Sequence, residues 1–280
     1  KKLIVLDPIT TDIAKLADYH IRLRPGTNVA VLNMMLYYIV KGNLLNKDFV
    51  ENRTEGFDEF LNHINSLDID HLASVAGVDK QLVKEAAIAY ATAKNSMEFH
   101  GLGVTEHEQG SKTVMLIADL AMITGNIGRR GVGVNPLRGQ NNVQGAADMG
   151  CQPHQGAGYF PVADKKIQDF YTEKYGAVHP TKAGLKIPEI FDAAINKEVK
   201  GLWIIGEDIV QTDPNSAHVI KAMESLDLLV VQEIFMSETA KLADVVLPGT
   251  TFLEKDGTFT NTERRVQRVN KAAEPLPGTK

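Results

Sequence analysis

The sequence predicts an α/β fold made of two Rossmann-like, doubly wound parallel-sheet domains that are related by an internal pseudo-repeat. Short apolar runs such as Leu3–Leu6 and Leu228–Val231 alternate with helical patterns along the 280 residues. Apolar runs of this length are typical of strands buried on both faces, in parallel sheets that are covered by helices. A repeated stretch of sequence indicates two related halves. We therefore expect two incomplete domains, residues 1–138 and residues 139–280.

The first half begins with a strand and continues through a series of helices to a second apolar strand. Asn28 begins the strongest helical pattern, which runs to Val40 and has apolar residues on nearly every side. A helix of this kind is expected to be buried between other elements. In order, the predicted elements are strand Leu3–Leu6, helix Ile13–Tyr19, strand His20–Leu23, helix Asn28–Val40, helices within 46–96 that are capped by Asn46 and Thr54 and include Val78–Ala93, strand Ser96–Phe99, and helix Ser111–Thr124.

The second half combines an irregular segment with alternating helices and strands. Residues 151–185 carry scattered aromatic side chains without a regular period, so we predict that they are irregular. The elements predicted after them are helix Ile187–Asn196, strand Leu202–Ile205, helix Ser216–Ser225 and strand Leu228–Val231. In open parallel sheets ligands bind beyond the carboxyl ends of the strands, so the polar residues that follow these strands are candidates for a binding site.

A five-residue word, Ala-Lys-Leu-Ala-Asp, occurs twice, at 14–18 and at 240–244. In both places an apolar strand that ends in an acidic residue, Asp7 or Glu233, precedes the word, and Pro-Gly-Thr follows it. A carboxylate at the tip of a parallel strand is well placed to accept hydrogen bonds from ribose hydroxyls. The repeat therefore predicts two related dinucleotide-binding domains, and the alternative is equivalent packing without a ligand. The sequence lacks a Walker loop and a Gly-x-Gly-x-x-Gly turn, which argues against ATP and NAD.

The segment from Pro136 to Gly150 is rich in polar groups that suit a binding loop. It contains one arginine, four carboxamide side chains and three glycines, and we expect it to be neither helix nor strand. Glycine lets the backbone approach a ligand closely, and carboxamides offer donors and acceptors without charge. Arg138 could grip a carboxylate through two parallel hydrogen bonds. The alternative is a solvated turn of the kind that Asn and Gly favour.

Composition and charge exclude several classes of function. The net charge of -5, with basic residues scattered along the chain, argues against a nucleic-acid partner. The apolar runs are too short to cross a membrane, so we expect no direct membrane insertion. The single cysteine, Cys151, which we expect to be reduced and partly buried, excludes an internal disulfide and a cysteine-ligated metal or iron–sulfur site within this chain. Glu106-His107-Glu108 is interpreted as an exposed turn, so no metal ligands are assigned.

Both ends of the chain indicate an internal fragment of a larger polypeptide. The sequence begins directly in a strand, without methionine, and finishes in the linker-like run Pro275–Lys280. We therefore expect each half to be only part of a complete domain.

Three segments of the chain resemble the molybdopterin oxidoreductase family. They are Leu120–Gly128, Arg138–Gly150 and Gly257–Gln267, and the resemblance extends over essentially the whole sequence. Its most specific part is the word Arg-Gly-Gln-Asn-Asn-Val-Gln-Gly at 138–145. Within the family, this word is most similar to the catalytic subunits of molybdenum- or tungsten-dependent formate dehydrogenases. The Gln-Asn-Asn run at 140–142 is similar to cytoplasmic members rather than to exported ones.

The resemblance implies a catalytic centre of which this chain would supply only part. It implies two molybdopterin guanine dinucleotides holding one Mo or W, oxidation of formate to carbon dioxide, and passage of the electrons to a 4Fe-4S cluster. The cluster and the metal-ligating cysteine or selenocysteine would lie elsewhere in the parent chain, so this fragment alone would be inactive. An iron–sulfur or other electron-transfer subunit is the implied partner. The alternatives are another molybdopterin oxidoreductase, or a non-catalytic subunit that keeps the fold.

The resemblance also implies roles for individual residues. Arg138 would be the catalytic residue, which binds formate and orients its C–H bond. The residues implied for the first guanosine are Leu6, Asp7, Arg24, Gly26 and Asn28. The residues implied for the second are Gly206, Glu207, Asp208, Thr212, Gln232, Ser237 and Asp244. The residues implied for the pterins are Leu102, Gly103, Glu106 and Gln140, and glutamine is common in the family where Glu106 stands.

Overall fold

The protein, described here by a computed structural model over residues 1–279, has the predicted α/β class. The chain divides into two compact units, Lys1–Gly139 and Gln140–Lys280. The first unit contains two parallel sheets of two strands each, and the second contains a parallel sheet of three strands and an antiparallel hairpin. Within the described residues, every helix is too short or too polar to cross a membrane.

The first unit is built mainly of helices, with its four strands in two pairs. In chain order its elements are β1 (Ile4–Leu6), α1 (Asp12–Lys15), β2 (Tyr19–Ile21), α2 (Asn28–Lys41), α3 (Lys47–Arg53), α4 (Phe57–Asn65), α5 (Ile69–Ala76), α6 (Lys80–Thr92), β3 (Met97–His100), α7 (Leu102–Thr105), α8 (Gly110–Ile123) and β4 (Gly133–Pro136).

Helix α2 forms the centre of the core of the first unit. Its apolar pattern predicts burial on most sides, and this is confirmed: Val31, Met34, Leu36 and Ile39 are fully inaccessible to solvent. The helix packs against α5, α6 and α8. Burying a side chain of this size stabilises a fold by about 1.5–3 kcal/mol relative to leaving it exposed. These four positions therefore contribute strongly to the stability of the unit.

Strand β1 pairs in parallel with β2, and Asp18 fixes the start of the pair. The Oδ2 atom of Asp18 accepts a hydrogen bond from the N–H of Leu3 at 2.9 Å, and the N–H of Asp18 donates to the Leu3 carbonyl at 2.9 Å. These bonds hold Asp18 beside Leu3 in an extended arrangement that a helix continuing through Asp18 would not allow. The predicted helix Ile13–Tyr19 is therefore too long, because α1 ends at Lys15 and Tyr19 already belongs to β2.

The second parallel pair, β3 and β4, brings Pro136–Gly139, the start of the predicted binding loop, to the edge of a sheet. His100 lies opposite Pro136 at the carboxyl ends of the two strands. Because parallel strands end at the same edge, the residues that follow β4 begin beside the end of β3. This is the edge at which ligands bind in parallel sheets.

The second unit carries its strands near the end of the chain. In chain order its elements are α9 (Val143–Asp148), α10 (Lys165–Tyr175), α11 (Ile187–Ile195), β5 (Gly201–Ile205), α12 (Ile209–Thr212), α13 (Ser216–Glu224), β6 (Leu228–Glu233), β7 (Val245–Pro248), β8 (Gly257–Thr260) and β9 (Val266–Val269), with 3-10 turns at Ala157–Tyr159, Ala240–Leu242 and Phe252–Glu254.

Strands β5, β6 and β7 form a parallel sheet in that order, and Asp244 plays the same part in it as Asp18 does in the first unit. Its Oδ2 atom accepts a hydrogen bond from the Leu229 N–H at 2.7 Å, and its N–H donates to the Leu229 carbonyl at 2.9 Å. The last residue of the repeated word thus has a structural role in both units. A shared nucleotide-binding role for the two copies stays a prediction.

Three expectations for the middle of the chain are wrong. Residues 151–185 are not irregular throughout, because Asp164 caps α10 through a hydrogen bond from the Lys166 N–H at 2.8 Å, and the helix ends at Gly176 with a φ of 68°. The binding-loop segment contains a helix, α9, over Val143–Asp148. Cys151 is exposed rather than partly buried.

The predicted cap at Thr54 is also wrong. Thr54 follows the last turn of α3, and its hydroxyl donates to the carbonyl of Val50 at 2.6 Å. Helix α4 starts after Gly56, which has a φ of 71°. Glycine adopts such left-handed angles at little cost. The predicted cap at Asn46 is confirmed, because its side chain accepts a hydrogen bond from the Phe49 N–H at 3.1 Å.

Candidate functional site

Arg138 stands just past the carboxyl end of β4, with an exposed side chain. The preceding residue, Leu137, donates its N–H to the His100 carbonyl at 2.7 Å, which extends the pairing of β3 and β4 by one residue. Within residues 1–279, no hydrogen bond or ion pair engages the Arg138 guanidinium. An arginine held at its backbone and unpaired at its side chain is suited to bind an anion with its planar fork.

Gly139 lets the chain pass closely over α7 directly after Arg138. A Cβ atom at this position would lie 3.2 Å from a methyl carbon of Leu102, which is tighter than an ordinary van der Waals contact. The Leu102 side chain is 44% exposed and would have to shift slightly to admit a larger residue here. The glycine therefore lets the backbone after Arg138 run close to this side chain.

The carboxamides of the loop fall into two groups. The Oδ1 atom of Asn142 accepts a hydrogen bond from the Thr260 N–H in β8 at 3.0 Å, and the Nε2 group of Gln144 donates to Asp148 at 3.0 Å and to the Tyr159 hydroxyl at 2.6 Å. These two amides hold α9 in place. The other two carboxamides of the loop, Gln140 and Asn141, are exposed and form no hydrogen bond within the described part of the chain. They remain available to a ligand.

His100 is a candidate site residue that the sequence analysis misses. It is only 7% exposed, and its Nδ1 atom is buried without a hydrogen-bond partner. Burial, with a smaller contribution from the positive charge of Arg138, lowers the pKa of His100 below its usual value, so the imidazole is neutral at physiological pH. The signal in the sequence is its position directly before the Gly101-Leu102-Gly103 turn.

Glu98, two residues before His100 on the same face of β3, is a second residue that the sequence analysis misses. Burial raises the pKa of its carboxyl group to about 7, although a hydrogen bond from the Tyr90 hydroxyl opposes that rise. The Oε1 atom receives the Tyr90 bond, and Oε2 is buried without a partner. A strand residue of this type gives no signal in one sequence, because its burial depends on helices that pack over it.

Three of the four residues predicted to face the pterins lie in or directly after α7. Leu102 begins this helix and is 44% exposed, and Glu106 follows its last turn with an exposed side chain. A Cβ atom added at Gly103 would meet no atom within 4 Å, so the backbone there is open to a ligand. These three residues lie near the end of β3, as a site beyond a strand would require, and their contact with a pterin stays a prediction.

The residues predicted for the first guanosine lie around the end of β1 and the turn before α2. Asp7 follows β1 and accepts a hydrogen bond from the Ile9 N–H at 2.9 Å. Arg24 donates from one guanidinium nitrogen to the carbonyls of Ser74 at 2.8 Å and Val75 at 3.2 Å, in the last turn of α5. Arg24 therefore has a structural role at a helix C-terminus, where a cation is favourable. Leu6 ends β1, Gly26 has a φ of 82° in the turn, and Asn28 begins α2.

The residues predicted for the second guanosine begin at the carboxyl end of β5. Gly206 has a φ of 66°, and a Cβ atom there would meet no atom within 4 Å. Asp208 is engaged by the protein: its Oδ1 accepts from the Thr239 hydroxyl at 2.7 Å and from the Thr239 N–H at 2.9 Å, and its Oδ2 accepts from Gln211 at 2.7 Å. Burial acts to raise the pKa of Asp208, but these hydrogen bonds outweigh it and hold the pKa below its usual value.

The remaining predicted residues are held by bonds within the same unit. Thr212 donates its hydroxyl to Glu207 at 2.8 Å. Ser237 accepts a hydrogen bond from the Ala240 N–H at 3.2 Å. The other two, Gln232 and Asp244, lie in β6 and directly before β7, and Asp244 is bonded to the start of β6. The structure thus gathers this set beyond and between three parallel strands, and their contact with a guanosine stays a prediction.

Histidine, cysteine and carboxylate side chains do not come together in a metal-binding group anywhere in residues 1–279. The first unit therefore offers an anion site at Arg138, open backbone at Gly103, and two titratable side chains on β3, of which His100 lies beside the arginine.

Comparison with known proteins shows which family the chain belongs to. The family described as molybdopterin oxidoreductase matches residues 1–280. The F420-dependent formate dehydrogenase subunit alpha of Methanocaldococcus jannaschii is 49% identical over 279 residues, which cover 99% of this chain and 41% of that protein. Formate dehydrogenase H of Escherichia coli is 43% identical over 275 residues, 98% of this chain and 38% of that protein. The chain thus spans about two fifths of the length of these relatives.

A solved structure shows the same fold. Acetylene hydratase from Pelobacter acetylenicus matches with a TM-score of 0.78 over 100% of this chain and 41% of that one. At 24% sequence identity, this likeness concerns the fold alone.

Proposed function

Because this chain belongs to the molybdopterin oxidoreductase family, we propose that its parent polypeptide is a formate dehydrogenase that oxidises formate to carbon dioxide. The relatives named above support the reaction, since two proteins more than 40% identical to this chain are named formate dehydrogenases. The observation that carries the proposal within this chain is the unpaired guanidinium of Arg138 at the carboxyl end of a parallel pair of strands.

Arg138 is the proposed formate-binding residue. Two parallel N–H···O bonds from its planar fork match the two oxygens of a one-carbon carboxylate and fix the direction in which the C–H bond points. Holding a reactant in one orientation lowers the entropic part of the barrier. The Leu137–His100 bond holds the backbone directly before the arginine while its side chain stays open.

The residues present fit a molybdopterin cofactor, because the backbone is open at Gly103 and at Gly206, each directly beyond the carboxyl end of a parallel strand or in the turn that follows it. We propose that two molybdopterin guanine dinucleotides and one Mo or W are bound, and that they supply the two-electron oxidation chemistry. The residues proposed to hold them are Leu6, Asp7, Arg24, Gly26, Asn28, Leu102, Gly103, Glu106, Gln140, Gly206, Glu207, Asp208, Thr212, Gln232, Ser237 and Asp244.

Two of these residues are assigned only a restricted part in binding. The guanidinium of Arg24 already donates to two helix carbonyls, and both carboxylate oxygens of Asp208 already accept hydrogen bonds from the protein. Their contribution is to shape the backbone around a nucleotide. Gln140, whose amide is exposed and makes no hydrogen bond within the described residues, is the stronger candidate for a direct contact.

The electrons are proposed to pass to a 4Fe-4S cluster in another part of the parent and from there to an electron-transfer subunit. Cys151, the single cysteine, cannot supply the four thiolates that such a cluster takes. The cytoplasm is the proposed location of the enzyme, on the likeness of its Gln-Asn-Asn run to cytoplasmic members of the family.

The test is to purify the full-length parent without oxygen and to measure formate-dependent reduction of a viologen dye. The extracted pterin and metal are measured on the same sample. We expect turnover with formate, extraction of guanine dinucleotide, and molybdenum or tungsten bound to the protein.

Other outcomes separate the alternatives. A parent that holds pterin and metal but does not oxidise formate would be another molybdopterin oxidoreductase, and formate oxidation would be the wrong reaction. A parent without guanine dinucleotide would contradict the dinucleotide assignment. A parent without any pterin would be the non-catalytic subunit.

A further inference from the structure

Two buried side-chain polar atoms lack a hydrogen-bond partner among the residues that the structure describes, and both are on one face of β3. They are Oε2 of Glu98 and Nδ1 of His100. Side chains at positions i and i+2 of a strand point to the same side. Buried polar atoms without a partner are rare in folded proteins because each costs free energy. Two on neighbouring positions of one face therefore indicate a functional feature.

One member of this pair, His100, lies beside the proposed anion site. His100 is opposite Pro136 in the strand pairing, and its carbonyl accepts the N–H of Leu137 directly before Arg138. The arginine is close enough for its charge to act on the imidazole. An anion on Arg138 would therefore change the electrostatic potential at His100, and Glu98 shares the same face of β3.

The ionisable groups on the elements around this face are few. Helix α6 contributes Tyr90, whose hydroxyl donates to Glu98. Helix α8, which packs against β3, contributes the half-buried Asp119 and the exposed Lys112. In the loop after α8, Arg129 is bonded to the side chain of Asn126 at 3.0 Å. Strand β4 carries no ionisable side chain, and Arg138 follows it.

We infer that Glu98 and His100 form a proton-accepting pair that takes up a proton when an anion binds Arg138. The inference rests on the proposed function, because it needs an anion at Arg138. The proton comes from solvent, and no bond other than N–H or O–H forms. Uptake adds a proton to Oε2 of Glu98 or to Nδ1 of His100, the two atoms that lack a partner. The added positive charge offsets the charge of the anion in a region of low dielectric.

The sign of the effect follows from the charges. Burial and the charge of Arg138 both lower the pKa of His100, so an anion on the arginine removes part of that penalty and favours the imidazolium. Burial already raises the pKa of Glu98 to about 7, so this carboxyl group gains and loses its proton near neutral pH, on the same face of β3 as the imidazole. The His100 imidazole therefore gains proton occupancy when the anion binds, and Glu98 is the neighbouring group that can share the proton.

The experiment is calorimetric titration of the loaded full-length parent with azide, a three-atom anion that carries no hydride. Titrations in buffers of different ionisation enthalpy give the number of protons taken up per azide. We expect uptake of a fraction of a proton near neutral pH. Affinity should fall as pH rises through neutrality, by at most about tenfold per pH unit, the limit for one linked proton.

Variants assign the uptake to the pair. Glu98→Gln and His100→Asn should each lower the uptake, and the double variant should abolish it. Tyr90→Phe removes the hydrogen bond that lowers the pKa of Glu98, so it should move the pH range of uptake upward. Glu108→Gln, at an exposed carboxylate outside the site, is the matched control and should leave uptake unchanged.

Several results would overturn the inference. Azide binding without proton uptake in the wild-type enzyme contradicts it, and so does unchanged uptake in the double variant. If Glu98→Gln fails to fold, His100→Asn and Tyr90→Phe still test the pair separately. Absence of both azide binding and formate oxidation overturns the proposed function itself, so that failure is distinguishable from failure of the pair.

Discussion

At the level of single residues, several polar side chains have a structural role that differs from the binding role their sequence motif indicates. Asp18 and Asp244 end the two copies of the repeated word, and each accepts a backbone hydrogen bond near the start of a strand, from Leu3 directly before β1 and from Leu229 in β6. Arg24 is a helix-terminal cation. Such roles cannot be read from one sequence, because the partners of Arg24 are 50 and 51 positions away.

A residue-level prediction concerns the stability contributed by Glu98. Its carboxyl pKa rises from an ordinary 4.5 to about 7 in the folded protein, so between these values the folded state holds a proton that the unfolded chain has lost. Stability therefore falls as pH rises through this range. Glu98→Gln, which cannot ionise, should be more stable relative to wild type at about pH 8 than at about pH 5.

Urea unfolding of both proteins at the two pH values measures this difference. Glu108→Gln is the control, since its carboxylate is exposed. An equal effect of Glu98→Gln at both pH values would show that Glu98 titrates normally.

At the level of elements, the sequence predicts well those helices whose apolar pattern is strong. Helix α2 begins at Asn28 as predicted and ends one residue later than predicted. This agreement is close because the helix has apolar residues on nearly every side. Helix α10 is missed because its sequence is polar, with only Gln168 and Tyr171 buried. Helix α9 is missed because its segment is rich in glycine and carboxamides, which predict an irregular loop. The position of α9 depends on hydrogen bonds that the side chains of Asn142 and Gln144 make.

An element-level prediction concerns the core around α2. Leu36 is fully buried, so Leu36→Ala should destabilise the protein by about 2–5 kcal/mol, through lost burial and a cavity. Ile88→Ala, at a side chain that is 37% exposed on α6, is the control and should cost clearly less. Chemical unfolding of the parent measures both. Equal costs would contradict the central position of α2 in the core.

For the whole molecule, the sequence identifies the family, because the Arg-Gly-Gln-Asn-Asn-Val-Gln-Gly word is specific and the matching family covers residues 1–280. Which residues of that word are available to a ligand and which hold the structure together cannot be predicted from the word itself. Asn142 is structural because of Thr260, which is 118 positions away. Likewise, the position of His100 beside Arg138 becomes visible only when β3 and β4 pair.

The central claim is that Arg138 binds formate, and the most direct measurement is kcat/KM for formate in the full-length parent with Arg138→Ala. Arg130→Ala is the matched control, because Arg130 is also exposed and its loss changes the net charge equally. Pterin and metal contents are measured in every sample, so that loss of cofactor is not mistaken for loss of substrate binding.

We expect Arg138→Ala to lower kcat/KM by about 10²–10³-fold, the range for removing one preorganised charged donor, with pterin and metal retained. Arg130→Ala should stay within about threefold of wild type. An Arg138→Ala enzyme that retains its cofactors and oxidises formate as efficiently as the control would contradict the account.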